Sequence, residues 1–180
     1  MGIFLETKRL ILKSPELSDL DNLISLRSDP NVMKYIGDGS VHTEEQVKRF
    51  LEIAIPYYEK HGIGFCSVIE KVSGDFIGQA GLFHVGYYDE QPDIEVAYRL
   101  HKKFWGKGYA TELAKALIQW GFQHLSVNKI IGAAEPENIA SQKVLIKAGL
   151  DFKGKITWYD GRELFLYEIY NNDSISVGTK

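Results

Sequence analysis

The segment Lys103-Phe104-Trp105-Gly106-Lys107-Gly108-Tyr109-Ala110 constrains this chain more than any other. It joins a β-rich run over residues 94–100 to a stripe of Ala110, Leu113, Ala114, Leu117, Ile118, Gly121, Phe122 and Leu125 at helical spacing. Two glycines one residue apart let a backbone approach a ligand with no side chain in the way. The first amides of the helix that follows lack intrahelical partners, and its dipole favours negative charge there. A phosphate or pyrophosphate cradle fits these conditions. No Gly-Lys-Ser/Thr ending of a Walker loop follows, and no third glycine stands near Thr111 as a dinucleotide fingerprint requires. Taken alone, the two glycines fit an ordinary tight strand-to-helix turn equally well.

The flanking pattern supplies a fold. Leu10-Ile11-Leu12 reads as a strand, and Leu17, Leu20, Leu23, Ile24 and Leu26 mark a helix that ends by Asp29, ahead of Pro30. Residues 33–42 read as irregular. Thr43 and Gln46 form a capping-box signature for a second helix, with Val47, Phe50, Leu51 and Ala54 inward, which Pro56 kinks or ends. Strands over 65–70 and 76–83 flank the turn Val72-Ser73-Gly74-Asp75. A short strand over 129–134 precedes a helix opened by Asn138 and closed by Gly149, and strands over 152–159 and 163–170 surround Asp160-Gly161. The order β-α-α-β-β-β-α-β-α-β-β predicts an α/β (α+β) domain: a mixed, mostly antiparallel sheet covered by helices. No repeat or linker divides the chain, so residues 1–170 read as one domain and 171–180 as a loose tail.

Composition removes several classes of function. A net charge of −3 without a basic stripe argues against nucleic acid and anionic membranes as partners. The single cysteine, Cys66, excludes an intramolecular disulfide and reads as a core filler within an apolar run. Histidines are scattered rather than paired at ligand spacing, so no metal is expected. Without a signal peptide or an apolar run near the ~20 residues of a membrane span, the expected location is cytoplasmic.

Three linked motifs resemble the GNAT superfamily of N-acetyltransferases. Lys103-x-x-Gly106-x-Gly108 is similar to that family's Gln/Arg-x-x-Gly-x-Gly/Ala loop, with Lys in the leading position. Upstream, Ile94-Glu95-Val96-Ala97-Tyr98-Arg99-Leu100 resembles the strand preceding the loop in ribosomal-protein N-terminal acetyltransferases. Downstream, Asn138-Ile139-Ala140-Ser141 and the closing Ala148-Gly149-Leu150 resemble their Asn-x-x-Ser helix, with Leu150 where Phe is usual.

The resemblance implies an acetyl-CoA-dependent N-acyltransferase that moves an acetyl group directly to a primary amine. The acceptor would be a small molecule or a peptide or protein N-terminus, and the enzyme a monomer or homodimer. It also implies a splayed strand pair in which Tyr98, Arg99 and Leu100 flank the pantetheine arm. The amides of Trp105, Gly106, Lys107, Gly108, Tyr109, Ala110 and Thr111 would hold the pyrophosphate. Asn138 would lie near the thioester, and Lys103, Lys107 and Lys143 would balance phosphate charge, although each also reads as an ordinary surface lysine.

Direct transfer needs a neutral amine. Glu95 is the candidate base, provided burial raises its pKa; otherwise it is an edge residue in a salt bridge. The family's usual tyrosine is missing from the helix after Asn138, leaving Ser141 as the candidate proton donor to the departing thiolate. Tyr35, His84 and Trp158 are candidate acceptor-binding residues, with residues 33–42 and the 157–160 turn around them. A structural histidine suits His84 equally well. The competing function is a CoA-binding regulatory module without catalysis, which would need the glycine loop but no base.

Overall fold

The computed structural model describes residues 2–171. The expected loose tail lies, after Asn171, outside the described residues. The strands are β1 (Ile3–Glu6), β2 (Leu10–Lys13), β3 (Gly64–Glu70), β4 (Phe76–His84), β5 (Ile94–Leu100), β6 (Lys129–Ala134), β7 (Asp151–Thr157) and β8 (Glu163–Tyr170). The helices are α1 (Leu20–Arg27), α2 (Pro30–Met33), α3 (Glu44–His61), α4 (Tyr109–His124) and α5 (Ile139–Lys147). All eight strands form one sheet in the order β1-β2-β3-β4-β5-β6-β8-β7, and its single parallel pairing joins β5 to β6. This is the mixed, mostly antiparallel sheet expected.

Alternation along the strands assigns residues to two faces. Cα pairing aligns Phe83 with Glu95 and Glu95 with Ile131, then Phe65 with Gly81 and Gly81 with Ala97, then Ser67 with Gln79 and Gln79 with Arg99. These residues share one face, which α1 and α3 cover through Leu23, Val47, Leu51 and Phe50. The other face carries Leu82, Val96 and Leu100 and receives Leu113, Leu117 and Ile118 of α4. Cys66 is fully buried, as a core filler should be.

Three local departures from the sequence pattern have physical causes. α3 runs through Pro56 to a left-handed Gly62 cap, because Pro56 is exposed and the carbonyl it deprives of a partner, that of Glu52, lies at the solvent side. Pro30 opens the short helix α2 within the stretch that begins after α1: Asp29 accepts from the Asn31 amide at 2.8 Å, and proline at the first helical position loses no bond. β1 is an edge strand of four residues, too short to show a pattern.

Candidate active site

β5 and β6 pair only at Ile94–Ile130 and Glu95–Ile131. Beyond that point β6 continues with β8 while β5 continues with β4, so the β6-facing edge of Val96 to Leu100 has no strand partner. The two strands form a fork, and Glu95 is the last paired residue at its apex.

At the open end, Gly106 and Gly108 take φ of 76° and 78°, the left-handed region in which a side chain would be strained. Gly108 is the N-cap of α4 and has no side-chain cap, so the first-turn amides face outward without internal partners. A Cβ placed on Gly106 would meet nothing within 4 Å, which leaves the approach to the loop open. A distant residue braces the loop from behind. The Arg9 guanidinium donates to the Lys107 carbonyl at 2.9 Å and to Glu112 at 2.6 Å, and lies 4.3 Å from the Tyr109 ring centroid. Burial works against the Glu112 carboxylate, but bonds from Thr7 and Arg9 outweigh it and hold its pKa below the ordinary value. Lys103 and Lys107 are exposed and lie over the Phe104 ring; Lys143 is exposed on α5.

On the α5 side of the fork, Asn138 caps the helix by accepting from the Ser141 amide at 3.1 Å. The Ser141 hydroxyl is 3.1 Å from that of Tyr98. Tyr98 thus brings a phenol from β5 to the helix that lacks one. Burial pushes its pKa up. Trp105 donates its indole N–H to the Leu100 carbonyl at 2.7 Å, folding the loop back on the free edge of β5.

The Glu95 side is different in kind. Glu95 and Arg99 are partly accessible to solvent yet surrounded by protein at depth, as residues lining a cleft are. Burial pushes the Glu95 pKa up to about 7, against the pull of Arg99 and Arg162. Arg162 itself is tied to Asp160 at 2.7 Å and Glu135 at 2.8 Å in the β7–β8 turn. Phe50, Phe65, Phe83 and Tyr87 make an aromatic floor, with Phe83 and Tyr87 stacked at 4.9 Å. Tyr87 holds a left-handed φ of 64° and accepts from the Phe65 amide at 2.9 Å.

The three proposed acceptor residues are not gathered into one free surface. Trp158 packs in a core cluster with Val85, Ile131 and Leu164. His84 shares a 2.6 Å hydrogen bond with Tyr57, and Tyr35 is half-buried with the Lys34 amine over its ring. Folding also does what sequence spacing did not suggest, bringing donor atoms of His61, His84 and Asp89 within 4.8 Å of one another. Asp89 there is already paired with Lys60 and His61. Sequence reasoning missed Arg9, Arg27 and Gln79, and took Arg99 only as a backbone contact. Arg9, Arg27 and Gln79 belong to no local motif, and register and helix packing alone place them, bringing Arg27 and Gln79 together with Arg99. Two shallow depressions of about 350 and 320 Å³ lie elsewhere, against α4 and β8 and near His101.

A forked β5–β6 pair beside a glycine-led helix defines a class of acyl-transfer fold. Residues 9–151 match the family described as Acetyltransferase (GNAT) domain, and the chain belongs to that family. It is an acetyl-CoA-dependent N-acyltransferase. An N-acetyltransferase of Bacillus licheniformis designated p20 is 31% identical over 166 residues, covering 92% of each chain. The structure of a GNAT-family acetyltransferase from Bacillus anthracis is 27% identical, with a TM-score of 0.76, covering 94% of this chain and 98% of the other. RimL, a ribosomal L7/L12 α-N-protein acetyltransferase solved with coenzyme A, shares the fold at TM-score 0.79 and 13% identity, covering 94% and 98% of the two chains. Among the described residues no helix is long and apolar enough to cross a membrane.

Proposed function

We propose that this enzyme acetylates a primary amine by direct transfer, with Glu95 as the base and Ser141, bonded to Tyr98, as proton donor. The observation that carries this reading is the position of Glu95 at the apex of the fork. The strand edge past it is the place for a pantetheine arm, and the α4 N-terminus beyond is the place for a pyrophosphate. Residues Trp105 to Thr111 would hold the diphosphate through their amides, and the free edge of Val96 to Leu100 would hold the arm by strand-like hydrogen bonds. The Asn138 side-chain oxygen caps α5, which leaves its carboxamide N–H as the group that would meet the thioester.

Acetyl-CoA supplies the acetyl group as a thioester, whose C–S bond is exchanged for a C–N bond while the sulfur leaves as thiol. The work of the protein is to move protons. Glu95 accepts a proton from the incoming ammonium, freeing the nitrogen lone pair. A carboxylate with pKa near 7 suits that task, being both available and basic enough at neutral pH. The hydroxyl pair Ser141 and Tyr98 stands on the opposite side of β5, where a departing sulfur would need a proton, and is reloaded by the proton the nitrogen then sheds. The net proton released leaves from Glu95 to solvent. Thiol release from acetyl-CoA, measured across amino acids, polyamines, aminoglycosides and N-terminal peptides, tests the reading with Glu95→Gln as control. Turnover on one class that the mutant loses supports it. Tight acetyl-CoA binding without turnover on any amine would favour a regulatory module instead.

A further inference from the structure

Two arginines beside Glu95 form no ion pair among the described residues. Arg27, at the end of α1, is 3% exposed, and among the described residues its one side-chain hydrogen bond runs from Nη2 to the Gln79 side-chain oxygen at 3.0 Å. The Arg99 side chain makes no hydrogen bond among the described residues; its guanidinium lies 4.6 Å from the Phe65 ring centroid. The Arg27 guanidinium lies 3.6 Å from the Phe50 centroid. Buried Nε of both arginines and buried Nδ1 of His42 lack partners. His42 is held there by its amide bond to the Arg27 carbonyl at 2.9 Å. Charge runs the same way: Arg99 repels Arg27, and burial with both arginines lowers the His42 pKa.

Burying like charges with open donors is costly unless something compensates them. Glu95 attracts Arg99 across the cleft but forms no ion pair with it. The register says where a compensating group would sit. Arg99 arises in the Gln79 row, but its guanidinium lies over Phe65, which belongs to the Gly81–Ala97 row next to that of Glu95. Adjacent same-face rows are about 7 Å apart and neighbouring strands about 5 Å, and the Phe65 ring leans across β4 to lie 4.7 Å from the ring of Phe83, the cross-strand partner of Glu95. An amine at Glu95 and an anion at the guanidinium therefore fit within one small molecule.

We propose that the acceptor amine carries a carboxylate, held by Arg99 and Arg27, so that the enzyme acetylates amino-acid-like compounds rather than polyamines or other polycations. Planar guanidinium forks match a carboxylate bidentately, and aromatic walls keep water from competing with it. The inference rests on the acetyl-transfer reading for the position of the amine, while the anion site stands on its own contacts.

The test compares γ-aminobutyrate and a dipeptide with their carboxamides as acceptors; in γ-aminobutyrate the amine is far enough from the carboxyl for its basicity to change little. The expected result is at least a tenfold higher kcat/KM for the carboxylates, expressed in KM. Arg99→Met should abolish that preference, and Arg99→Lys, which keeps the charge and loses the fork, should retain part of it. Circular dichroism establishes that each variant is folded, and Arg27→Met serves if Arg99→Met is not. Equal kcat/KM for acid and amide in the parent enzyme, or a preference that survives both methionine variants, overturns the proposal. If no amine is turned over, calorimetry with glutarate decides. Binding that weakens at least tenfold in Arg99→Met upholds the anion site while the transfer reading falls, and no binding to the parent overturns the site as well.

Discussion

The two sides of β5 offer opposite means of recognition. Toward α4 and α5 the chain offers backbone: left-handed glycines, uncapped first-turn amides and an unpaired strand edge. Toward α1 and α3 it offers side chains: Glu95, Arg99, Arg27, Gln79 and an aromatic floor. A backbone site tolerates change in most side chains, provided the glycines stay. A site made of side chains can be respecified one residue at a time. Relatives that share the first side need share little of the second.

The sharpest way to break this comparison is Glu95→Gln. It should lower kcat/KM about 100-fold or more, while the Kd of acetyl-CoA, measured by calorimetry, changes less than about twofold. A parallel loss of cofactor affinity would mean that the two sides are not separate. Gly108→Ala is the reciprocal experiment. Its φ of 78° would strain any L-residue, by about 1–2 kcal/mol. Acetyl-CoA should bind about tenfold more weakly, with the acceptor KM almost unmoved.

A pH series sharpens the acceptor side. If Glu95 is the base, log kcat/KM for an amine of fixed charge should rise with unit slope and level off above a pH of about 7. Stability should move the other way. The folded pKa of Glu95 is raised above the ordinary value of 4.5, so its contribution is full below that value and is lost as pH rises toward about 7. Glu95→Gln should therefore be the more stable protein above neutrality, by about 2 kcal/mol once water in the cleft screens the charge. Thermal melts at acid and neutral pH should show a gap of about 5 °C opening between the two.

The smallest effect concerns the brace. Glu112→Gln removes the charge that positions Arg9 behind the loop. We expect about a threefold rise in the acetyl-CoA KM and about 1–2 kcal/mol of lost stability, read by kinetics and chemical denaturation.

The same contrast explains what could be read beforehand. Gly106, Gly108 and the α4 stripe are contiguous, so local chemistry exposed them. Glu95 was visible as a carboxylate in an apolar strand beside that loop. Arg27 in a last helical turn looks like a residue placed for the helix dipole, and only packing of α1 across β4 brings it to Gln79. Arg9 reads as a turn residue until α4 folds over it. Tyr98 had no visible link to Ser141, because the two meet only when α5 docks beside β5. Pro56 does not end α3, because the carbonyl it orphans belongs to Glu52 on the exposed side of the helix.

The strand order has a consequence for synthesis. β8, last in chain order among the described strands, lies between β6 and β7, so it fills an interior position of the sheet. While the ribosome still holds β8, β6 has one edge uncovered and β7 has nothing to pair with. The glycine loop and α4 can be complete by then, but the turn bearing Asp160 and Arg162 cannot yet hang over Glu95. A nascent chain should thus acquire the glycine loop before the cleft beside Glu95, and the insertion of β8 is also the step that closes that cleft.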